Sequence, residues 1–388
     1  MHTPRWTPLL VVAALLALVA TASAASPLRP PTNLAAAGGD QKVTLTWTAS
    51  SSKNVAGYRV YRENADGTWP TTPLATTSAS TTSYTDAGLT DGTTYSYRAT
   101  AIDTSSPPRE SSPSNVASAT PNAPASSPCG TALTPPTTYD HVVWVVMENH
   151  SYSEVIGSSS APYINQLAGQ CGSATNFFAE SHPSLPNYIA MTSGSTQGIT
   201  DDNGPSSHPL SVPSIFSQLG SGGWRSLEES MPSNCDLSDS GEYAVRHNPA
   251  VYYTNIRTDC ASYDVPLGST PDLSARFTFV TPNLCDDMHD CSVQSGDTWL
   301  SGFLPKVFAS AQYQAGRTAV FLTWDEDDSG SGNHIATLAI APSVAAGTTS
   351  STTFNHYSML RTTEELLGLG SFIGNAATAT SMRSAFNL

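Results

Sequence analysis

From residue 139 onward the chain repeatedly runs apolar without alternation. Four stretches stand out: His141-Val142-Val143-Trp144-Val145-Val146-Met147, Phe277-Thr278-Phe279-Val280, Thr318-Ala319-Val320-Phe321-Leu322-Thr323-Trp324, and residues 334–342. A strand with no polar face is one covered on both sides, as in a parallel sheet between helical layers. Amphipathic stretches at residues 214–219, 298–310 and 357–367 read as helices. This order predicts an α/β sandwich with a mostly parallel central sheet. Residues 29–122 follow a different rule. Val43-Thr44-Leu45-Thr46-Trp47, Gly57-Tyr58-Arg59-Val60-Tyr61 and Tyr95-Ser96-Tyr97-Arg98-Ala99 alternate with period two, between turns such as Gly38-Gly39-Asp40 and Asp86-Ala87-Gly88. Many short alternating strands around one central Trp predict an all-β sandwich. Residues 123–138 open as a Pro/Ser-rich linker, which sets the domain boundary.

The remaining composition narrows the setting. A net charge of -15 over 388 residues argues against nucleic-acid binding, which needs a basic surface. Residues 1–25 read as a signal peptide: Arg5 supplies the positive start, residues 9–20 an apolar run shorter than a membrane span, and Ala22-Ser23-Ala24 a cleavage site. The alternative is an uncleaved anchor helix. No later stretch is long and apolar enough to cross a bilayer, so no stable membrane insertion is expected. Six cysteines, all after residue 128, imply disulfides in an exported chain. Six allow fifteen pairings. Neighbour pairing, Cys129–Cys171, Cys235–Cys260 and Cys285–Cys291, is taken as the expectation without further argument. The localisation expected is secreted.

Charged residues make up only 12% of the chain, yet carboxylates cluster directly after apolar runs. Glu148 and Asn149 follow one run and Asp325 and Glu326 another. A carboxylate beside a second oxygen ligand suits a hard divalent cation. The alternative for each pair is a strand-end cap. Asp327 and Asp328 read as solvated loop charges. Ser184 lies in His182-Pro183-Ser184-Leu185-Pro186-Asn187-Tyr188, where two prolines stiffen the turn. The residues after it continue as a helix, whose N-terminus favours an anion. Position alone makes Ser184 an N-cap more readily than a nucleophile. Asp286, Asp287, His289 and Asp290 lie between Cys285 and Cys291; a structural calcium loop or an acidic turn is the competing reading. His356 precedes a helical stretch beginning at Tyr357 and either faces the site or caps the helix. His150 and His182 neighbour the motifs, while His208 and His247 receive no role. In open α/β sheets ligands sit beyond the carboxyl ends of strands, so one sheet edge gathers these clusters.

Two resemblances follow. Pro31, Leu34, Trp47, Leu89 and the segment Thr94-Tyr95-Ser96-Tyr97, with Ser114-Asn115-Val116 as last strand, resemble a fibronectin type III domain over residues 29–122. Such modules in exported bacterial-type enzymes serve as spacers or docking units, which implies docking to a surface or polysaccharide. Residues 139 to about 370, within a catalytic domain placed at 139–388, resemble the phosphoesterase family of bacterial acid phosphatases and phosphocholine-type phospholipases C. The matching stretches are Val145-Val146-Met147-Glu148-Asn149-His150-Ser151-Tyr152, the Ser184 motif through Gly194, Pro282-Asn283-Leu284-Cys285-Asp286-Asp287-Met288-His289-Asp290, Thr323-Trp324-Asp325-Glu326 and His356-Tyr357-Ser358-Met359-Leu360-Arg361-Thr362.

The resemblance implies an alkaline-phosphatase-like α/β fold and one divalent ion (Mg, Ca, Mn or Zn) bound by Glu148, Asn149, Asp325 and Glu326. It makes Ser184 the nucleophile and a further metal contact. Asn187 would hold the phosphoryl group, with His289, Asp290 and His356 lining the pocket and a histidine as acid. The prolyl-serine context and the absence of C-terminal β-domains favour the phosphatase-like branch over the phospholipase branch. The expected activity is hydrolysis of phosphate monoesters through a phosphoserine. The alternatives are a phospholipase C or other phosphodiesterase, and a non-catalytic surface protein stabilised by calcium.

Overall fold

The structure, a computed structural model, describes residues 27–39, 41–121, 127–132 and 134–388. The signal-peptide reading and residues 123–126 of the linker fall outside them. The chain divides into two compact units, Met1–Pro124 and Ala125–Leu388.

The first unit contains β1 (Thr32–Gly39), β2 (Lys42–Thr48), β3 (Val55–Arg62), β4 (Ala75–Ser78), β5 (Ser83–Ala87), β6 (Tyr95–Asp103) and β7 (Ala117–Ala119). They form two antiparallel sheets, β1-β2-β5 and β4-β3-β6-β7. Trp47 and Tyr58 meet edge to face at 5.6 Å in the core between them. The Tyr95 hydroxyl accepts from the Thr90 N–H, five residues upstream. The last strand is Ala117–Ala119 rather than 114–116. The cause is local. The Ser111 and Ser114 hydroxyls accept the Ala101 and Ala99 N–H groups, so side chains stand where a strand backbone would pair.

The second unit is built on one nine-stranded sheet: β8 (His141–Met147), β9 (Gly172–Phe178), β10 (Trp224–Glu228), β11 (Asp264–Pro266), β12 (Phe277–Thr281), β13 (Thr318–Trp324), β14 (His334–Ile340), β15 (Thr348–Ser350) and β16 (Phe354–Asn355). Its order is β11-β10-β12-β8-β13-β14-β9-β15, with β16 also on β9. Every pairing is parallel except those of β14, which runs against both neighbours. The unbroken apolar run at residues 334–342 was therefore not a sign of a parallel strand. Burial on both faces removes alternation in either direction. β12 and β13 are buried at every position, which requires cover above and below. That cover includes the Pro162–Gln170 helix against Val293–Phe308, and the Ser184–Ser193 helix against His356–Leu366.

Three disulfides close this unit: Cys129–Cys171, Cys235–Cys260 and Cys285–Cys291. The register carries the functional consequence. Phe277, Val142 and Ala319 lie level across β12, β8 and β13, so these strands end together at one edge.

Candidate active site

At that edge the chain leaves the sheet through acidic residues. Glu148 follows β8 and Asp325 follows β13. The Asp325 N–H continues the ladder onto the Met147 carbonyl at 2.9 Å, and the Glu148 N–H donates to the Asp287 carbonyl at 2.8 Å. Two strand ends and the loop after β12 are thereby stitched together by backbone. Asn149 turns at φ +55, a conformation asparagine tolerates. The turn brings its N–H to Asp325 Oδ1 at 3.2 Å, and the Glu326 N–H reaches the same oxygen at 2.6 Å. Asp325 Oδ2 has no partner.

Opposite these strand ends stands the Ser184–Ser193 helix, buried along all ten residues. Ser184 is its first residue. Its Oγ donates to Glu148 Oε2 at 3.0 Å and reaches Glu326 Oε1 at 3.4 Å. Residues three and four positions on share its face. Tyr188 donates its hydroxyl to Glu148 Oε1. Asn187 donates through Nδ2 to the Ser181 carbonyl at 2.8 Å and to Glu326 Oε2 at 3.3 Å, while its Oδ1 accepts the Glu180 and Ser181 N–H groups. Its polar atoms thus shape the turn that delivers Ser184.

The histidines divide into three settings. His356 is buried, with Nδ1 2.6 Å from Glu180 Oε2 and Nε2 3.0 Å from the Trp324 carbonyl, so both ring nitrogens are engaged behind the strand end. Burial works against its charge, but the Glu180 carboxylate outweighs it and the pKa lies above the usual value. His289 is half-buried; Nδ1 lies 2.7 Å from Asp290 Oδ1, and Asp290 itself is largely exposed. His247 and His182 lie closest to the carboxylates. His247 is buried, stacked on Tyr188 at 5.3 Å, with Nε2 3.4 Å from Glu148 Oε1 and Nδ1 3.3 Å from Asp287 Oδ2. Glu148, His247 and His289 each offer a ligand atom within 4.8 Å of the others. His182 sits 2.8 Å from Glu326 Oε2 and 3.1 Å from Asp327 Oδ1, with 36% of its side chain exposed.

Ser184, Glu148, Asp325, Glu326 and Asn187 therefore share hydrogen bonds or backbone contacts in one place. Asp290 touches the site only through His289, and His356 only from behind. Sequence reasoning gave no role to His247, which ends a single 3-10 turn, Val245–His247, too short to leave a periodic signal. Asp327 is buried, accepting the Ser329, Ser331 and Asn333 N–H groups, and is not a solvated loop charge.

The electrostatics are one-sided. Burial pushes Glu148 well above the carboxylate range, and Asp325 and Asp287 push it further. Burial likewise raises Asp287 and Asp325. Glu326 is pushed up to about 9 by burial and then by Asp325. Buried carboxylates this close stay ionised only beside positive charge. Asp325 Oδ2, Asp287 Oδ2 and His247 Nε2 make no hydrogen bond and are buried ligand atoms of the kind that would hold a divalent cation. Burial, then Arg246 and His289, hold the His247 pKa well below its usual value, which favours the neutral, metal-binding imidazole. The donor set fits a cation.

Comparison with known proteins gives the family. Residues 158–370 match the phosphoesterase family, and residues 29–117 match the fibronectin type III domain. A phosphatidylinositol-3-phosphatase of Mycobacterium tuberculosis is 36% identical over 240 residues, covering 60% of this chain and 78% of that protein. A probable acid phosphatase of Kluyveromyces lactis is 28% identical over 273 residues, covering 63% of this chain and 62% of that protein, so this chain spans less than two thirds of its length. Among solved structures, a protein in the alkaline phosphatase superfamily from Vibrio parahaemolyticus aligns with a TM-score of 0.44 and 12% identity, covering 66% of this chain and 73% of that chain.

Proposed function

The chain belongs to the phosphoesterase family and is a phosphoric ester hydrolase; from that premise we propose that it is a secreted phosphomonoesterase working through a phosphoserine at Ser184. Glu148, Asn149, Asp325 and Glu326 would hold one divalent ion, with His247 and Asp287 at its flank. One observation carries the reading: Ser184 Oγ, at the start of a buried helix, lies within hydrogen-bonding reach of carboxylates from two different strand ends. A serine hydroxyl is a weak nucleophile until something draws off its proton or stabilises its anion. The bound ion would supply that stabilisation and offset phosphoryl charge.

The chain's own groups do the rest. Glu148 Oε2 takes the Ser184 proton as Oγ attacks phosphorus. The Oγ–P bond forms and the bond to the leaving oxygen breaks. Tyr188 and the Asn187-braced turn fix the directions of Glu148 and Ser184. His182, half-exposed and two residues before Ser184, protonates the leaving alcohol. His356, with both nitrogens engaged, serves instead as a buried positive charge behind Asp325. Water then attacks phosphorus and gives a proton to the neutral His182 as the Oγ–P bond breaks, and Ser184 Oγ takes its own proton back from Glu148. His289 and Asp290 line the entrance.

Three disulfides favour an oxidising compartment, and no helix among the described residues is long and apolar enough to cross a membrane. We read the fibronectin type III unit as a spacer or a dock to a surface or polysaccharide. The alternative of a non-catalytic calcium-stabilised protein falls with family membership.

Ser184→Ala tests the reading with p-nitrophenyl phosphate. The expected loss in kcat is about 10³-fold or more with an unchanged melting temperature. Acid-quenched wild type should carry phosphate on the Ser184 peptide by mass spectrometry. Full activity in the alanine variant, or no phosphopeptide under burst conditions, would overturn it.

A further inference from the structure

Four carboxylates, Glu148, Asp287, Asp325 and Glu326, crowd this site, and a phosphomonoester brings a second charge that a diester lacks. One divalent ion does not balance that total. The unit's other arginines are committed elsewhere: Arg225 to Asp272, Arg317 to Asp140, Arg361 to Glu365, and Arg257, Arg276 and Arg383 to backbone carbonyls. Arg246 differs. Among the described residues it has no carboxylate within ion-pair distance, and its side-chain contact is Nη2 to His289 Nε2 at 3.0 Å.

That contact fixes more than a distance. A guanidinium only donates, so His289 Nε2 is the acceptor and its proton sits on Nδ1, facing Asp290 Oδ1. The line Asp290–His289–Arg246 holds the guanidinium next to a ring that itself lies within 4.8 Å of the Glu148 and His247 ligand atoms. The remaining N–H groups of the planar fork match two oxygens of a phosphoryl group.

We propose that Arg246 is a specificity-determining residue: it binds the non-bridging oxygens of a dianionic phosphomonoester and sets the preference for monoesters over diesters. This rests on the phosphoserine reading above. Asp290 and His289 then act as positioning residues for the guanidinium.

The experiment compares kcat/KM for p-nitrophenyl phosphate and bis(p-nitrophenyl) phosphate in the full chain, with whichever of magnesium, calcium, manganese or zinc gives the highest turnover. Arg246→Gln should lower the monoester value about 10²-fold and the diester value less than about threefold. Inhibition by inorganic phosphate should weaken in parallel, and Arg246→Lys should recover part of the monoester loss. Equal losses on both substrates, or undiminished monoester activity, overturn the proposal. Should Arg246→Gln fail to fold, Arg246→Lys carries the test, and it must still reduce monoester turnover more than diester turnover. If wild type hydrolyses neither substrate, or if Ser184→Ala is fully active, the phosphoserine reading fails instead. Calorimetric titration with inorganic phosphate then still decides Arg246, because an unchanged Kd in Arg246→Gln rejects the role.

Discussion

Met147 and Trp324 are register partners on adjacent parallel strands, so the residues after them, Glu148 and Asp325, leave the sheet side by side. The hydrogen bond from the Asp325 N–H to the Met147 carbonyl fixes the main chain from which both carboxylates project. The sheet therefore holds two negative charges together, and the site is built around that repulsion.

Asp325→Asn should separate the electrostatic cost from the catalytic use. Asp325 Oδ2 is buried and partnerless. In chelator, the asparagine variant should melt at or up to about 3 °C above wild type, because one buried charge is gone. With divalent metal the order should reverse, and activity should fall about 10³-fold. Scanning calorimetry with and without chelator checks this; a wild type whose melting ignores every divalent ion would contradict it.

His182→Asn should reveal its role through the leaving group. Loss of a proton donor matters most where the departing oxygen is basic. The kcat loss should be at least about tenfold greater for an alkyl phosphate than for p-nitrophenyl phosphate. A loss of equal size on both substrates would make His182 a support for Glu326 alone.

The disulfides should divide between stability and activity. Cys129–Cys171 spans 42 residues and Cys285–Cys291 only 6. On chain-entropy grounds, replacing the first pair by serine costs about 4 kcal/mol and the second about 2 kcal/mol. The short bridge braces the loop that carries Asp287 and His289. Its removal should therefore reduce kcat more than the long bridge does, despite the smaller loss in denaturant melts.

A second carboxyl pair predicts a pH effect away from the site. Burial pushes Asp264 up to about 7, and burial together with Asp264 pushes Glu228 well above its usual value. Asn248 Nδ2 lies 3.0 Å from both Asp264 oxygens. The folded chain keeps a proton on Asp264 that the unfolded chain releases near about pH 4. The stability from that proton is complete below about pH 4 and is lost as pH rises through about 7. Asp264→Asn should flatten the fall, seen as a smaller difference between urea midpoints at acidic and neutral pH. An unchanged slope would count against the buried proton.

The strands at the centre of the sheet were readable because burial on both faces leaves an uninterrupted apolar run. The 141–147 and 318–324 runs match β8 and β13 residue for residue. The direction of β14 was not readable, since its run looks the same whichever way it points. β9 and β10 carry serine, threonine, asparagine or arginine among their residues and gave no comparable signal. Ser184, Glu148, Asp325 and Glu326 announced themselves as polar groups placed against apolar or proline-stiffened context. His247 did not, because its environment is made by Tyr188, Glu148 and Asp287, all distant in the chain.

The sequence by itself determined the two kinds of unit, the central strands and the residues able to carry oxygen-ligand and nucleophile chemistry. These follow from local patterns of burial and residue type. Only the tertiary structure decided which groups face one another: that Asn187 bonds its own turn and Glu326, that His356 is engaged at both nitrogens, that His247 and His182 stand against the carboxylates, and that Arg246 meets His289. Those outcomes depend on strand register and loop closure over long separations, where packing rather than neighbouring residues sets each distance.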